Sequence, residues 1–478
     1  MRILLKADMG IYMNQKSSST PHLSFTKQNF WDLLPANFTW HNPLISGTFI
    51  LTITGLLSRF IGFFYRIFLS RMFGAEGMGI YQLTAPILAL TFSITVAGMQ
   101  TAISKYVASE TATKDYRSSS GYLAVGFIIS MALSAVCTWG IYYYSDFIAT
   151  KFLLEPRTAP LLRIISFSIP MATVHSCING YFYGVRKSTV PALAQLAEQI
   201  VRVGSVFLIY YLAMARGMTP TISFAVLGLV IGESAAMIVS LVAIRHRFYS
   251  LSLTREQIKP VKHQYLKSSQ LLLSLALPLS LNRIIINILQ SVENIFIPNK
   301  LMAYGMDNTT ALSVFGVLTG MALPLIFFPS AITNSISVLL LPIVSEADAI
   351  DNNVTIKRAI RQSIKLGAAL GVFCTGFFLL SGRMLGMLFY DNSLAGSFII
   401  TLSFLCPFMY IASTLSSILH GIGKTAANFI YSIISLAVRL VFIFAAVPIW
   451  GIQGYLWGLL VSQFIQTGLC MWAVREYY

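Results

Sequence analysis

Five arginines stand inside otherwise apolar stretches: Arg59, Arg66, Arg202, Arg283 and Arg439. The chemistry open to a guanidinium there is capture of an anion. Its planar fork donates two parallel hydrogen bonds to a phosphate or carboxylate. Gly55, Arg59, Gly62 and Arg66 fall at i, i+4, i+7 and i+11, which is one helix face. Arg283, Asn287, Gln290 and Asn294 repeat that spacing, and the two stripes align at an offset of 228 residues. Two such stripes facing each other would line a central cavity. A third group holds Gln195, Glu198, Gln199 and Arg202, and a fourth holds Asn428, Ser432, Ser435 and Arg439. Arg202 also has a local reading, an i,i+4 pair with Glu198. Arg66 has another, snorkelling toward the interface. Only Glu198, Glu233 and Glu293 are acids within these stretches, so the interior carries a net charge of +2. An interior of that sign suits a phosphate or pyrophosphate and suits a cationic drug poorly.

Other reactive constellations are missing from the sequence. There is no GxSxG, HExxH or Walker loop, and His175 and His420 each stand alone. Gly421-Ile422-Gly423-Lys424 lacks the rest of a phosphate loop and reads as a turn between helices. The five cysteines lie within apolar stretches and form no CxxC, so they read as packing residues. No catalytic residue, cofactor or metal is expected.

Helices must position the arginines. The chain is 56% hydrophobic and 10% charged, with a mean hydropathy of +0.72. Ordinary soluble domains carry roughly 25% charged residues. Apolar runs of about 20 residues, one bilayer crossing each, recur from Leu44 to the C-terminus. They are continuously apolar rather than alternating, which predicts helices and not barrel strands. The predicted spans are 44–69, 80–104, 121–145, 159–182, 190–213, 221–244, 270–297, 312–342, 363–382, 395–419, 427–447 and 452–474. The expected fold is therefore an all-α polytopic membrane protein of about twelve transmembrane helices.

The net charge of +16 would suggest nucleic acid in a soluble chain. Here the tail, the even-numbered loops and the C-terminus hold 21 Lys and Arg, and the odd-numbered loops hold 7. Loop charge of that asymmetry sets topology. It places both termini in the cytoplasm and removes nucleic acid as a partner. Residues 1–43 are polar and lack the apolar core of a signal peptide. They read as a flexible cytoplasmic tail, with Met13 as an alternative start.

The second half repeats the first. Ser166, Pro170, Gly184, Lys187 and Arg202 recur as Ser403, Pro407, Gly421, Lys424 and Arg439, each 237 residues later. Two six-helix lobes are expected, at 44–245 and 269–478, joined by a basic cytoplasmic linker at 246–268. An even number of spans per half gives both repeats the same topology, with substrate bound between them.

The stretch SRFIGFFYRIFLSRMFGAEGMGIYQL at 58–83, the AISKYVASE run at 102–110 and FPSAITNSISVLLLPIVSEA at 328–347 resemble the stage V sporulation protein B family. That family is related to the MurJ-like lipid II flippases and polysaccharide exporters of the multidrug/oligosaccharidyl-lipid/polysaccharide superfamily. The resemblance implies the superfamily's fold around a central cavity. It also implies a flippase for undecaprenyl-pyrophosphate-linked saccharides in a bacterial plasma membrane, linked to peptidoglycan or spore cortex formation. Arg59 falls where those flippases keep a first-helix cavity arginine. Tyr65 takes a second arginine position, with Arg66 beside it. Their eighth-helix arginine falls near Pro324 and is absent, with Arg283 as the substitute.

The expected function is alternating-access export of a lipid-linked oligosaccharide. Its head group would sit among Arg59, Arg66, Arg283, Asn287, Gln290, Asn294, Arg202, Glu198 and Arg439. Membrane lipids and a coupling ion (H+ or Na+) or the membrane potential are the other expected partners. The rival readings are a cation-coupled multidrug exporter, which would want a carboxylate in the first span, and a membrane glycosyltransferase or ligase, which would want a large external loop.

Overall fold

The computed structural model describes residues 43–113, 115–250 and 262–477. The predicted tail as far as residue 42, and residues 251–261 of the predicted linker, lie outside them. Backbone polar groups have no water to bond in lipid, so each apolar run satisfies them internally as a helix. The longer helices of the first half are α1 (Pro43–Phe92), α2 (Gly98–Ala112), α3 (Tyr116–Tyr143), α4 (Ala159–Ser166), α5 (Ser168–Gly184), α6 (Thr189–Ala215) and α7 (Ser223–Ser250). The rest of the chain adds α8 (Lys262–Ala303), α9 (Asn308–Gly316), α10 (Leu323–Phe327), α11 (Ser330–Ala349), α12 (Asn353–Tyr390), α13 (Ser393–Leu402), α14 (Cys406–Gly421), α15 (Thr425–Ala445) and α16 (Ile452–Ala473). Short polar residues start several of them. Asp115, Asp307, Asn352 and Asn392 each accept from a backbone N–H three residues on, at 3.0–3.1 Å.

Eleven helices among the described residues are long and apolar enough to cross a membrane, or twelve if the bent pair Pro156–Ser166 and Ser168–Gly184 is one span. The chain is a multi-pass, all-helical membrane protein. Two predicted boundaries differ from the observed ones. The spans at 44–69 and 80–104 have no loop between them: α1 runs from the first into the second, as far as Phe92, and is broken only at Gly74, with φ +70 and ψ −179. That conformation is open to glycine, so one residue does the turning expected of ten. The arms fold toward a common space, since Arg66 and Tyr81 line one cavity from opposite sides of the break. The predicted span 312–342 is instead a π turn at Val317–Ala322 flanked by α9 and α10, and then α11. Pro329, which has no N–H to continue the ladder, marks the second break.

The repeat is visible as geometry. The helix pair α4–α5 breaks after Ser166, and α13–α14 breaks at Ser403–Leu405, matching positions at the 237-residue offset. The second span also carries a π turn, at Ser93–Ala97, the counterpart of Val317–Ala322.

Packing is unequal at the two ends of the molecule. The largest buried cluster draws on both halves of the chain, from Phe63, Leu69 and Met78 to Phe315, Phe398 and Leu456. It lies at the end holding Gly74, Asp307 and the start of α13. Toward the other end, which holds the basic loops, the core divides in two. One part packs α2, α3 and α5 with the start of α8, and the other belongs to the second half alone. Backbones meet directly at the shared end. A Cβ on Gly316 would stand 2.0 Å from the Ala75 carbonyl oxygen, and one on Gly79 would stand 2.2 Å from that of Leu312.

Polar ties cross the halves there as well. Arg71 donates to the carbonyls of Phe389, at 2.8 Å, and Leu388. Asn308 donates to Glu155 at 2.8 Å, and Arg157 bridges Glu155 and Glu76 at 2.6 and 2.5 Å. Burial alone would raise the Glu155 carboxyl, but the hydrogen bonds from Arg157 and Asn308 outweigh it and hold the group below its ordinary range.

Candidate functional site

Between the halves lies a cavity of about 730 Å³. The first arm of α1 contributes Ser58, Arg59, Gly62, Tyr65 and Arg66, and the second arm contributes Tyr81 and Gln82. The helix α6 adds Gln195, Gln199 and Arg202, α8 adds Asn294, and the π turn adds Thr319. Three arginines line this space, and among the described lining residues there is no acid. Three lining groups also have an unused hydrogen-bonding atom among the described residues: Ser58 Oγ, Tyr65 Oη and Arg202 Nε. Buried polar atoms seldom stay unpaired.

The i, i+4, i+7 spacing on α1 has a second effect. Gly62 sits between the two arginines, and a Cβ there would meet nothing within 4 Å. The glycine leaves the volume that a ligand would take. Leucine at position 62 should therefore fold normally and fill the cavity. Unchanged thermal stability with loss of transport is the expected result, and full transport would show the space to be unused.

Arg59 has the most defined geometry. In the amide orientation its neighbours require, Asn334 on α11 accepts from both terminal nitrogens of Arg59, at 2.9 and 2.8 Å, and donates to Ser413 at 3.1 Å. Arg59 and Gly55 also line an adjoining space of about 270 Å³ against α11. Arg59 is thus aimed from one half to the other before any ligand arrives.

The remaining predicted residues separate. Arg66, Arg202 and Asn294 join Arg59 in the main cavity. Glu198 pairs with Arg202, as the local reading has it. Gln290, Asn294 and Arg439 line a neighbouring space of about 200 Å³. There Glu293 accepts from Arg439 at 2.9 Å and from Tyr455 at 2.7 Å. Asn287 donates to Ser93 Oγ at 2.6 Å and to the Ala89 carbonyl at 3.1 Å, tying α8 to the π turn of the second span. Arg283 is exposed and lines neither space. It lies about 16 Å along the helix axis from Asn294, toward the end where the core divides. The arginine that joins the α1 pair is Arg202, not Arg283.

Tyr81, Gln82 and Asn334 carry no site signal in the sequence, and Tyr65 enters there only through the resemblance, at a position where the flippases keep an arginine. Asn334 lies in the quoted 328–347 stretch, but a single asparagine on an apolar helix carries no spacing signal. Tyr81 and Gln82 reach the site through the Gly74 turn, where a loop was expected.

The sequence profile of the family described as polysaccharide biosynthesis protein matches residues 44–348. Stage V sporulation protein B of Bacillus subtilis (strain 168) is 27% identical over 88% of this chain and 82% of its own length. Lipid II flippase MurJ of the same organism is 23% identical over 84% and 76%. A solved structure of lipid II flippase MurJ in an inward closed conformation superposes with a TM-score of 0.69, covering 89% of this chain and 87% of its own at 16% identity. With its match covering well over half of the sequence, this chain belongs to the polysaccharide biosynthesis protein family.

Proposed function

We propose that this protein is a flippase that moves an isoprenoid-pyrophosphate-linked saccharide across the plasma membrane by alternating access. The observation that carries the reading is the cavity lined by three arginines and, among the described lining residues, no acid. Arg59, Arg66 and Arg202 hold the pyrophosphate, and Gln82, Gln195, Gln199 and Asn294 offer hydrogen bonds to sugar hydroxyls. The gap between α1 and α11 beside Arg59 lets the lipid tail remain in the bilayer. Similarity to a lipid II flippase and to a sporulation protein supports a cell-wall or spore-wall precursor as cargo. The loop charges support cytoplasmic termini, so the core shared by both halves closes the outer end and the site opens inward. A cation-coupled drug exporter would want a carboxylate facing this cavity, and the described lining has none.

Translocation of lipid II by the purified protein in proteoliposomes tests the proposal. Flipping well above that of empty vesicles is expected, together with rescue of a flippase-depleted strain. A well-expressed protein that neither flips lipid II or a related lipid pyrophosphate nor rescues growth would overturn it.

A further inference from the structure

Behind Arg202, away from the cavity, four ionisable side chains from three helices meet. His175 of α5 lies with Nε2 2.8 Å from Glu233 Oε2 of α7. The other oxygen of Glu233 is 3.7 Å from Arg202 Nη2, and the same nitrogen pairs with Glu198. One ligand atom from each of His175, Glu198 and Glu233 falls within a 4.8 Å cluster. A divalent metal would have to displace the guanidinium that already serves both carboxylates, so this set is poorly suited to one. It suits a proton. With His175 neutral, two carboxylates and one guanidinium leave one negative charge in excess.

The second partner of the histidine fits either charge state. Asn179 Nδ2 lies 3.5 Å from His175 Nδ1, which matches a ring that carries hydrogen on Nε2 and accepts at Nδ1. The oxygen of the same amide, Asn179 Oδ1, is buried with no partner among the described residues. Turning that amide over would point the oxygen at Nδ1 and give a protonated ring an acceptor there. Glu233 also lines a separate space of about 110 Å³ with Thr91, Thr95 and Ser168. The cluster is therefore a wall between two spaces, with Glu233 on one side and Arg202 on the other. The further groups around Arg202 are Tyr65, Arg66 and Tyr81, all on the cavity side.

We propose that His175, Glu198, Arg202 and Glu233 form a proton-binding site linked to the anion in the cavity. The inference rests on the anion-binding reading above. A proton taken from water adds to His175 Nδ1, and Glu233 then pairs with the imidazolium. Arg202 is left with Glu198 alone, and more of its charge is directed to the cavity that it lines. Linkage is reciprocal. A bound anion favours the proton, and the proton strengthens anion binding.

Calorimetry of inorganic pyrophosphate binding to the full chain in lipid nanodiscs tests this. Binding is measured in two buffers of different ionisation enthalpy, which counts the protons taken up. About one proton more per pyrophosphate is expected for the wild type than for His175→Gln or Glu233→Gln, with binding retained in both. The variants carry the pyrophosphate's own titration and so correct for it. A further readout needs only the wild type. Sulfate does not titrate at neutral pH, and its affinity should rise as pH falls, approaching tenfold per unit for a one-proton linkage. Equal uptake in wild type and variants, or a pH-independent sulfate affinity where the variants fail to fold, overturns the proton site and identifies the cluster as a structural ion network. Absence of any pyrophosphate binding overturns the anion cavity itself, and this inference with it.

Discussion

Alanine at Arg59 is expected to weaken binding of a lipid pyrophosphate by about 10- to 100-fold. A hydrogen bond to a charged group contributes ~1.5–3 kcal/mol, and each 1.4 kcal/mol is a factor of ten. Arg59 is held by both nitrogens against Asn334, so the wild type meets its ligand with one of its guanidinium geometries already fixed. Lysine keeps the charge but not the fork and should recover part of the loss. The triple change Arg59→Ala, Arg66→Ala and Arg202→Ala removes every described cationic group of the main cavity and should abolish binding and transport. Arg283→Ala is the contrasting case, because that residue lies outside the lining, and a change of no more than a few-fold is expected. Titration of a fluorescent lipid pyrophosphate into the wild type and the four variants separates these outcomes. Wild-type affinity after Arg59→Ala would remove the cavity from the binding step.

Alanine at Gly316 should shift the molecule toward its other conformation. The added Cβ would lie 2.0 Å from the Ala75 oxygen and 2.5 Å from the Gly79 nitrogen. Both neighbours are backbone, so no rotamer change relieves the clash, and the halves have to part at that end. Overpacking of this kind costs about 1–3 kcal/mol, enough to change the ratio of two states by roughly 5- to 150-fold. Thr319 lines the cavity and serves as a reporter. In a background with the five native cysteines replaced, Thr319→Cys should react faster with an impermeant maleimide added from outside once Gly316→Ala is present. Its reactivity from inside should fall. Equal labelling with and without the alanine would show that this contact does not hold the outer end shut.

The sequence was most informative where spacing and composition act together. Hydropathy located the spans because the bilayer fixes their length, and the repeat appears in the matched breaks at Ser166 and Ser403. The α1 stripe was legible for the same reason, since four residues on one face stay on one face. The stripe on α8 was only half legible. Its spacing is right, yet Asn287 ties two helices together and Arg283 lies beyond the cavity. Periodicity gives the angle around a helix but not how deep the neighbouring helix extends beside it. His175 with Glu233, 58 residues apart, gave no local signal at all. Their meeting depends on how α5 and α7 pack.

The apolar core shared by both halves at one end gives the proposed cycle a direction of rest. Each excursion that parts this end exposes part of that core, at roughly 25 cal/mol per Å², so 100 Å² opened requires ~2.5 kcal/mol. The polar ties of Arg71 and Glu155 add to what must be broken. On the proposed cycle the empty transporter acts as a spring that returns to one side unaided, and it needs cargo or a gradient only for the stroke away from it.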